Sequence, residues 1–412
     1  MRYSKLYLLF FTGVSLLFCQ GDTQALPEQE YHPFDVHVLL EKRDQVSEKH
    51  SPAKQDPVLW TFSCEAGFVV SDPLLPDRRD LLDTKQCVIS FEQGILCVNK
   101  RKLHMKRIKI ESQDPKKHEL QVLITEKKKQ HKRSYSGSFS VFWKDGWHLI
   151  NSVDLEEYVS SVLASESWPN WPLELNKAFA IVMRSFVVYH LLQARGKKKV
   201  GKDFLFDVTC TNSHQTYRGT HEYAVLKQAV EETKGAVLSY QGKPILAMYD
   251  ICCGGIIPAK MKHAGRLPPY LARTYPCTYC SSCKLYTWSA HYTLAECEDE
   301  LHDLDPSIRT ISDMKLGEVD RAGVVHSVKI KTGRAWRTLS RKMIYGALKD
   351  IKSYSFTLHK EGNSICFDGR GYGHHTGMCQ WGARQMVKEG SSYQEVLKFY
   401  YPGTKLMKLQ IV

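Results

Sequence analysis

Between residues 59 and 150 apolar and polar residues alternate in short runs. The segments 87–98 and 135–151 show it most clearly, with glycine turns between the runs, so this part is expected to be mostly strand. Lys144-Asp145-Gly146-Trp147 reads as a hairpin turn. At Asp154 the period changes: Leu155, Val159, Val162 and Leu163 fall on one helical face behind a capping pair, Asp154 and Glu157, which predicts a helix to about Glu166. Trp168-Pro169-Asn170-Trp171-Pro172 ends it. Pro172 suits the first position of a second helix, with Leu175, Ala178, Phe179, Val182, Phe186 and Leu191 as its buried stripe. A third helix is expected over about 221–234, strands over 236–250, and a last helix at 391–401; the stretch 301–350 has no clear period. The pattern predicts an α+β fold: a leader at 1–25, a polar, proline-dotted linker at 26–58 with order starting near Leu59, a strand-rich part at 59–150 and a mixed helix and strand region at 151–412 that carries the site. There is no internal repeat.

Composition narrows the picture. A chain of 412 residues that is 43% hydrophobic buries one large core or two ordinary ones, which excludes a disordered chain or a small disulfide miniprotein. The net charge of +13 favours anionic partners, and residues 101–134 hold twelve Lys and Arg against four acidic residues. Ile108, Ile110, Leu120, Val122 and Ile124 interrupt that run at alternate positions, so it reads as strands with solvated basic faces and a lysine-rich tip at 127–129. A polyanion-binding strip is the rival reading. No zinc-finger, basic-zipper or RNA-recognition pattern accompanies it, so no nucleic-acid partner is expected.

Arg2 and Lys5 precede a 13-residue apolar run, Leu6 to Phe18, and Thr23-Gln24-Ala25 supplies small residues for cleavage. The chain is expected to be exported and to act in the periplasm or elsewhere outside the cytoplasm. Cys19 is a candidate for lipidation, although Phe18 before it fits poorly. Twelve cysteines remain after the leader, and in an oxidising compartment the default is disulfides. Cys277-x-x-Cys280-x-x-Cys283, with Cys252-Cys253 upstream, equally has the spacing to converge on a structural zinc ion, and redox activity is a third, weaker reading. No cofactor is required.

Three segments carry candidate chemistry. Glu166 stands beside Trp168 and Trp171, where desolvation would raise a carboxyl pKa and the rings would suit sugar stacking; the bland reading is an exposed helix-end Glu with two core tryptophans. The segment 368–383 sets His374, His375 and Gln380 among glycines 369, 371, 373, 377 and 382, which lets the backbone approach a ligand closely. Cys210-x-x-x-His214 has ligand types but too few partners.

In this order, the blocks 150–186, 217–255 and 369–406 resemble the stage II sporulation protein D family, also known as the amidase-enhancer or LytB-type domain, over roughly 59–408. The resemblance implies a peptidoglycan enzyme: a lytic transglycosylase that cleaves peptide-stripped glycan strands between N-acetylmuramic acid and N-acetylglucosamine. Some members are amidase activators, which implies an N-acetylmuramoyl-L-alanine amidase as partner beside the glycan. Glu166 matches the family's catalytic Glu, although Ser167-Trp168-Pro169 alters the spacing. Lys177 and Arg184 match its Lys and Arg, with lactyl carboxylates as their expected ligands. His374, Gly377, Met378, Gln380, Trp381, Gly382 and Ala383 match its glycine-rich motif, with His374 and Gln380 expected to bind sugar or orient Glu166. His375 replaces a Gly, Cys379 replaces a Ser, and Asp250-Ile251-Cys252-Cys253 replaces a Ser-rich stretch. Relatives that bind zinc through a His and two Cys find only Cys210 matched here. The rival functions are a non-catalytic glycan-binding activator and a metal-dependent hydrolase using the cysteines with His374 and His375.

Overall fold

Pairs of strands with one buried face build most of the N-terminal half. The computed structural model describes residues 9–11, 14–16, 35–43 and 58–409, except 74, 93–94, 104–106, 127–128 and 199–204. The expected leader, with its cleavage site and Cys19, and the lysine-rich tip therefore lie largely outside the described residues. The chain divides into two compact units, residues 1–237 with 407–412 and residues 238–406, so the boundary expected at 150 falls inside the first unit.

In the first unit, Ser138–Trp143 and Trp147–Asp154 form an antiparallel hairpin around Asp145 and Gly146, both at positive φ (50° and 123°), which is the backbone the expected turn demands. They lie inside a seven-stranded sheet ordered Val208–Thr209, Asp35–Arg43, Trp147–Asp154, Ser138–Trp143, Arg107–Ser112, Phe68–Asp72 and Leu75–Leu82. Asp35–Arg43 corrects the expected linker. Val36, Val38 and Leu40 alternate with polar residues and are buried, and that apolar face outweighs the polar composition around it. A six-stranded sheet carries Leu120–Glu126 and Lys129–Tyr135, with Ile124, Val122 and Leu120 buried and Lys129, His131 and Lys132 exposed, so this part of the basic run is solvated. The rings of Phe62 and Phe139, one from each sheet, meet edge to face at 5.1 Å.

Among the described residues, three helices complete this unit: α1 (Leu155–Glu166), α2 (Leu173–Lys198) and α3 (Ala224–Glu232). Asp154 caps α1 by accepting the N–H groups of Glu156 (2.8 Å) and Glu157 (3.3 Å). α2 is long and apolar enough to cross a membrane by length and composition, but 72% of its apolar window is buried inside the protein, as a core helix requires.

The second unit holds α4 (Leu294–His302), α5 (Arg341–Ala347), α6 (Gln380–Lys388) and α7 (Tyr393–Tyr400). The stretch 301–350 that had no clear period resolves into a meander, Ile311–Leu316, Ser327–Thr332 and Ala335–Ser340, followed by α5. A second three-stranded antiparallel sheet places Ser364–Arg370 between Thr287–Thr293 and Phe356–Glu361, and Leu301, Ile330, Ile344 and Phe367 share one core with it. Both units mix helices with largely antiparallel sheets, so the fold is α+β.

Candidate functional site

Glu166 is the last residue of α1, and the turn after it is built by hydrogen bonds. The Ser167 N–H closes the helix on the Leu163 carbonyl (2.9 Å), its Oγ donates to Asn176 Oδ1 (2.9 Å), and Asn176 Nδ2 donates to the Trp171 carbonyl (3.1 Å). Ser167, where the spacing departs from the family pattern, therefore fastens the turn to α2. The two tryptophans divide the work: their rings lie 4.4 Å apart, but Trp171 is 7% exposed and packs toward Phe179, whereas Trp168 is 43% exposed. Glu166 is half-buried, and its Oε1 accepts the Thr216 N–H at 2.6 Å. The neighbours of Thr216 are themselves fixed, since Tyr158 donates to Gln215 Oε1 (3.3 Å) and Tyr217 donates to Asn151 Oδ1 (2.6 Å).

The two expected substrate cations have other occupations. Arg184 is fully buried and grips Glu156 through Nε (3.1 Å to both oxygens) and Nη2 (2.5 Å), while Nη1 donates to the Ala236 carbonyl (3.0 Å). Glu156 also accepts the Gly235 N–H (3.0 Å), so the pair ties α1 and α2 to the turn after α3. The expectation that Arg184 binds lactyl carboxylates is corrected by this burial, because no solvent-borne group reaches it. Lys177 lies between Glu174 (2.9 Å) and Glu232 (2.6 Å), and these carboxylates raise its pKa. A cleft of about 710 Å³ in this unit is walled by Glu157, Ser160, His221 and Lys227, and not by Glu166. Burial raises the Glu157 carboxyl above its usual range. Ser160 and His221 touch at 2.9 Å but form no nucleophilic pair: the Tyr223 N–H donates to His221 Nδ1 (3.0 Å), so the ring proton sits on Nε2 and points at Ser160.

In the second unit the glycine-rich motif is held by a short parallel pairing of Met378–Cys379 with Tyr249–Asp250. Gly377 is at φ +80°, and a Cβ there would come within 1.8 Å of the Met248 carbonyl oxygen, so this close approach admits only glycine. His375, where the family has Gly, also adopts left-handed backbone (φ 66°). Two hydrogen bonds hold it there, from its N–H to Asp250 Oδ2 (2.7 Å) and from Nδ1 to the Cys253 carbonyl (3.0 Å). His374 accepts the Thr376 N–H on Nδ1 (3.1 Å), and Gln380 opens α6 as a buried residue. Burial pushes both imidazoles down to about 4, so they are neutral near pH 7. The same cause raises the fully buried Asp250 carboxyl well above the carboxylate range.

The sulfur atoms of Cys253, Cys277, Cys280 and Cys379 all lie within 4.8 Å of one another, and all four residues are buried. Three of the five cysteines expected at a metal site are in this group. Cys252 and Cys283 are not, although Cys252 reaches Cys280, Cys283 and Cys379. Cys210 donates to the Leu40 carbonyl (3.2 Å) and belongs to no ligand group among the described residues.

Comparison with known proteins identifies the family. The family described as "Stage II sporulation protein" matches residues 144–240, which contain Glu166, and a domain of unknown function matches residues 275–377. An uncharacterized protein of Brachyspira hyodysenteriae is 30% identical over 279 residues, covering 66% of this chain and 72% of that protein. Stage II sporulation protein D of Bacillus subtilis is 28% identical over 269 residues, 62% of this chain and 75% of that protein. The chain belongs to the stage II sporulation protein D and amidase enhancer family. A protein of Bacillus subtilis named "Amidase enhancer" is 26% identical over 298 residues, 60% of this chain and 40% of that protein. Membership supports a cell-wall-related function.

In this family member Glu166, Trp168 and Trp171 lie in the first unit, where the two tryptophan rings meet, and His374, His375 and Gln380 lie in the second. Sequence reasoning passed over Asp250, Thr216 and Cys379 as site residues. Cys379 carried a usable signal, a cysteine inside a motif that otherwise matched; Thr216 acts through its backbone N–H and carries none.

Proposed function

We propose that the protein is an exported lytic transglycosylase that cleaves peptide-stripped peptidoglycan strands between N-acetylmuramic acid and N-acetylglucosamine. Glu166 is its acid and base. The observation that carries the reading is the seating of Glu166, which matches the family's catalytic Glu: it ends a capped helix, stands two residues before the exposed Trp168, and has one oxygen fixed by an N–H. Because Oε1 is an acceptor, the transferable proton belongs on Oε2. Glu166 gives that proton to the glycosidic oxygen as the C1–O bond breaks. The muramic 6-hydroxyl oxygen then bonds to C1, and its proton returns to the carboxylate, leaving a 1,6-anhydro ring. Most glycosidases need a second carboxylate to position water or attack C1, and an internal nucleophile removes that need. Trp168 offers a face on which a sugar ring stacks.

A second reading rests on the similarity to the protein named "Amidase enhancer". In that reading the protein binds glycan without cleaving it and stimulates an N-acetylmuramoyl-L-alanine amidase, as the name of one relative suggests. Incubation of the wild-type protein and Glu166→Gln with amidase-treated peptidoglycan, with mass spectrometry of the soluble products, separates the two. Anhydro-muramic products from the wild type, reduced about 10²–10⁴-fold in the variant, support the transglycosylase. Glycan binding with no products from either protein, and a faster amidase in their presence, would establish the activator.

A further inference from the structure

We propose that Cys253, Cys277, Cys280 and Cys379 hold one structural zinc ion that fastens the glycine-rich motif to the rest of the second unit. Four thiols from three separate segments meet in a buried place: the turn after Tyr249–Asp250, the Cys277-x-x-Cys280 turn, and the residue that caps α6. The Cys253 and Cys280 sulfurs are 3.8 Å apart. Two sulfurs on a tetrahedral ion with bonds of about 2.3 Å are separated by about 3.8 Å, whereas a disulfide brings them to about 2.05 Å. The spacing fits four ligands around one ion and is too wide for a disulfide between these two.

The surroundings of the sulfurs suit thiolates. Cys379 Sγ accepts the N–H of Cys253 (3.2 Å) and of Gly382 (3.4 Å), and the Tyr400 hydroxyl lies 3.1 Å from Cys277 Sγ. Donors aimed at ligating sulfur are what a metal–thiolate centre recruits. Cys379 also sits at the N-terminus of the nine-residue α6, where the helix dipole favours negative charge, and the buried Arg273 guanidinium lies 5.9 Å from the Tyr400 ring. Four thiolates on one dication leave two net negative charges, which these groups offset.

Gly382 gives an independent argument. A Cβ at this position would lie 2.2 Å from Tyr400 Oη, 2.6 Å from Cys277 Sγ and 3.3 Å from Cys379 Sγ. The first turn of α6 is thus pressed against the Tyr400 hydroxyl and the cluster, and in this chain Gly382 is required by the hydroxyl and sulfurs beneath it. The ion's part is structural: all four positions are taken by sulfur, so no site is open for water, and the metal fixes the segment from which His374 and Gln380 project. The inference stands on the second unit alone and does not depend on whether Glu166 cleaves glycan.

The test is metal analysis of the full-length protein purified without chelator. One zinc per chain is expected, released when a mercurial reagent modifies the thiols. Exchange into cobalt should give the thiolate charge-transfer and intense visible bands of a tetrahedral site. Cys283→Ser should keep the zinc, while Cys379→Ser should fall from about one ion to near zero. If Cys379→Ser does not fold, the zinc content and cobalt spectrum of the wild type still decide. Metal-free protein in which non-reducing digestion finds disulfides among the four cysteines would overturn the proposal. Two ions per chain, with one lost in Cys283→Ser, would replace the four-sulfur site by a six-sulfur cluster.

Discussion

The two motif-bearing regions of this chain reach the same end, a rigid presentation of a few polar groups, by different physics. In the first unit, Glu166 is presented by helices and a hydrogen-bonded turn whose deepest fastening is an ion pair, Arg184 with Glu156. In the second, His374 and Gln380 are presented by left-handed backbone, glycine contacts and a cluster of sulfur atoms. The difference teaches that a residue shared with a family motif can serve as a fastener inside the protein. Arg184 and Gly382 fit a catalytic motif on paper, and each is explained by what lies directly against it inside the protein.

The largest effect expected from breaking this comparison is at Arg184. Arg184→Ala leaves Glu156 charged, buried and without its partner, a change that costs about 3–5 kcal/mol by the general behaviour of buried pairs. Replacing both residues by apolar ones of similar size, Arg184→Met with Glu156→Leu, should restore much of that loss. Urea denaturation measures both. A stable Arg184→Ala protein that has lost only glycan affinity would return Arg184 to the substrate. A smaller loss, about 1–3 kcal/mol, is expected for Gly382→Ala, because the added methyl overpacks the first turn of α6. An unchanged melting temperature would mean that the sulfur cluster does not press on that turn.

How far the sequence revealed all this depended on whether the cause was local. The capped α1 could be read from Asp154, the break after it from the two prolines, and the hairpin from Asp145-Gly146, because each signal lies within a few residues of its effect. The strand Asp35–Arg43 was missed because its alternation, buried at Val36 and Val38, is embedded in polar, proline-dotted sequence and its partner, Trp147–Asp154, lies over a hundred residues on. The candidate site shows the same division. Glu166 and the glycine-rich motif were visible as residues, but the fates of Lys177 and Arg184 depended on Glu232 and Glu156 across a helix interface. Cys379 joins Cys253 across 126 residues, a pairing that no spacing rule contains.

His374 sharpens the comparison through pH. Its folded pKa is depressed to about 4, so as pH falls below about 6.5 the unfolded chain takes up a proton that the folded chain does not. The stability tied to this histidine is therefore fully present above pH 6.5 and is lost progressively down to about pH 4. His374→Asn should remove one proton from the difference in uptake between pH 6.5 and 4, measured by denaturation at several pH values. An identical pH profile in wild type and variant would show that His374 is not held neutral by burial.

The smallest expected effect is at Lys177. Its two carboxylate partners are both partly solvated, with side chains 37% and 40% exposed, so Lys177→Met should cost less than about 1 kcal/mol. Glycan binding, read by co-sedimentation with peptidoglycan, should be unchanged, because a lysine with two carboxylates within 3 Å gains little from exchanging one for a lactyl group. A tenfold weaker binding in Lys177→Met, with stability intact, would mean that the lysine leaves Glu174 and Glu232 for the glycan. The first unit would then join fastening and recognition in one residue, and the distinction drawn from Arg184 would stop at the buried pair.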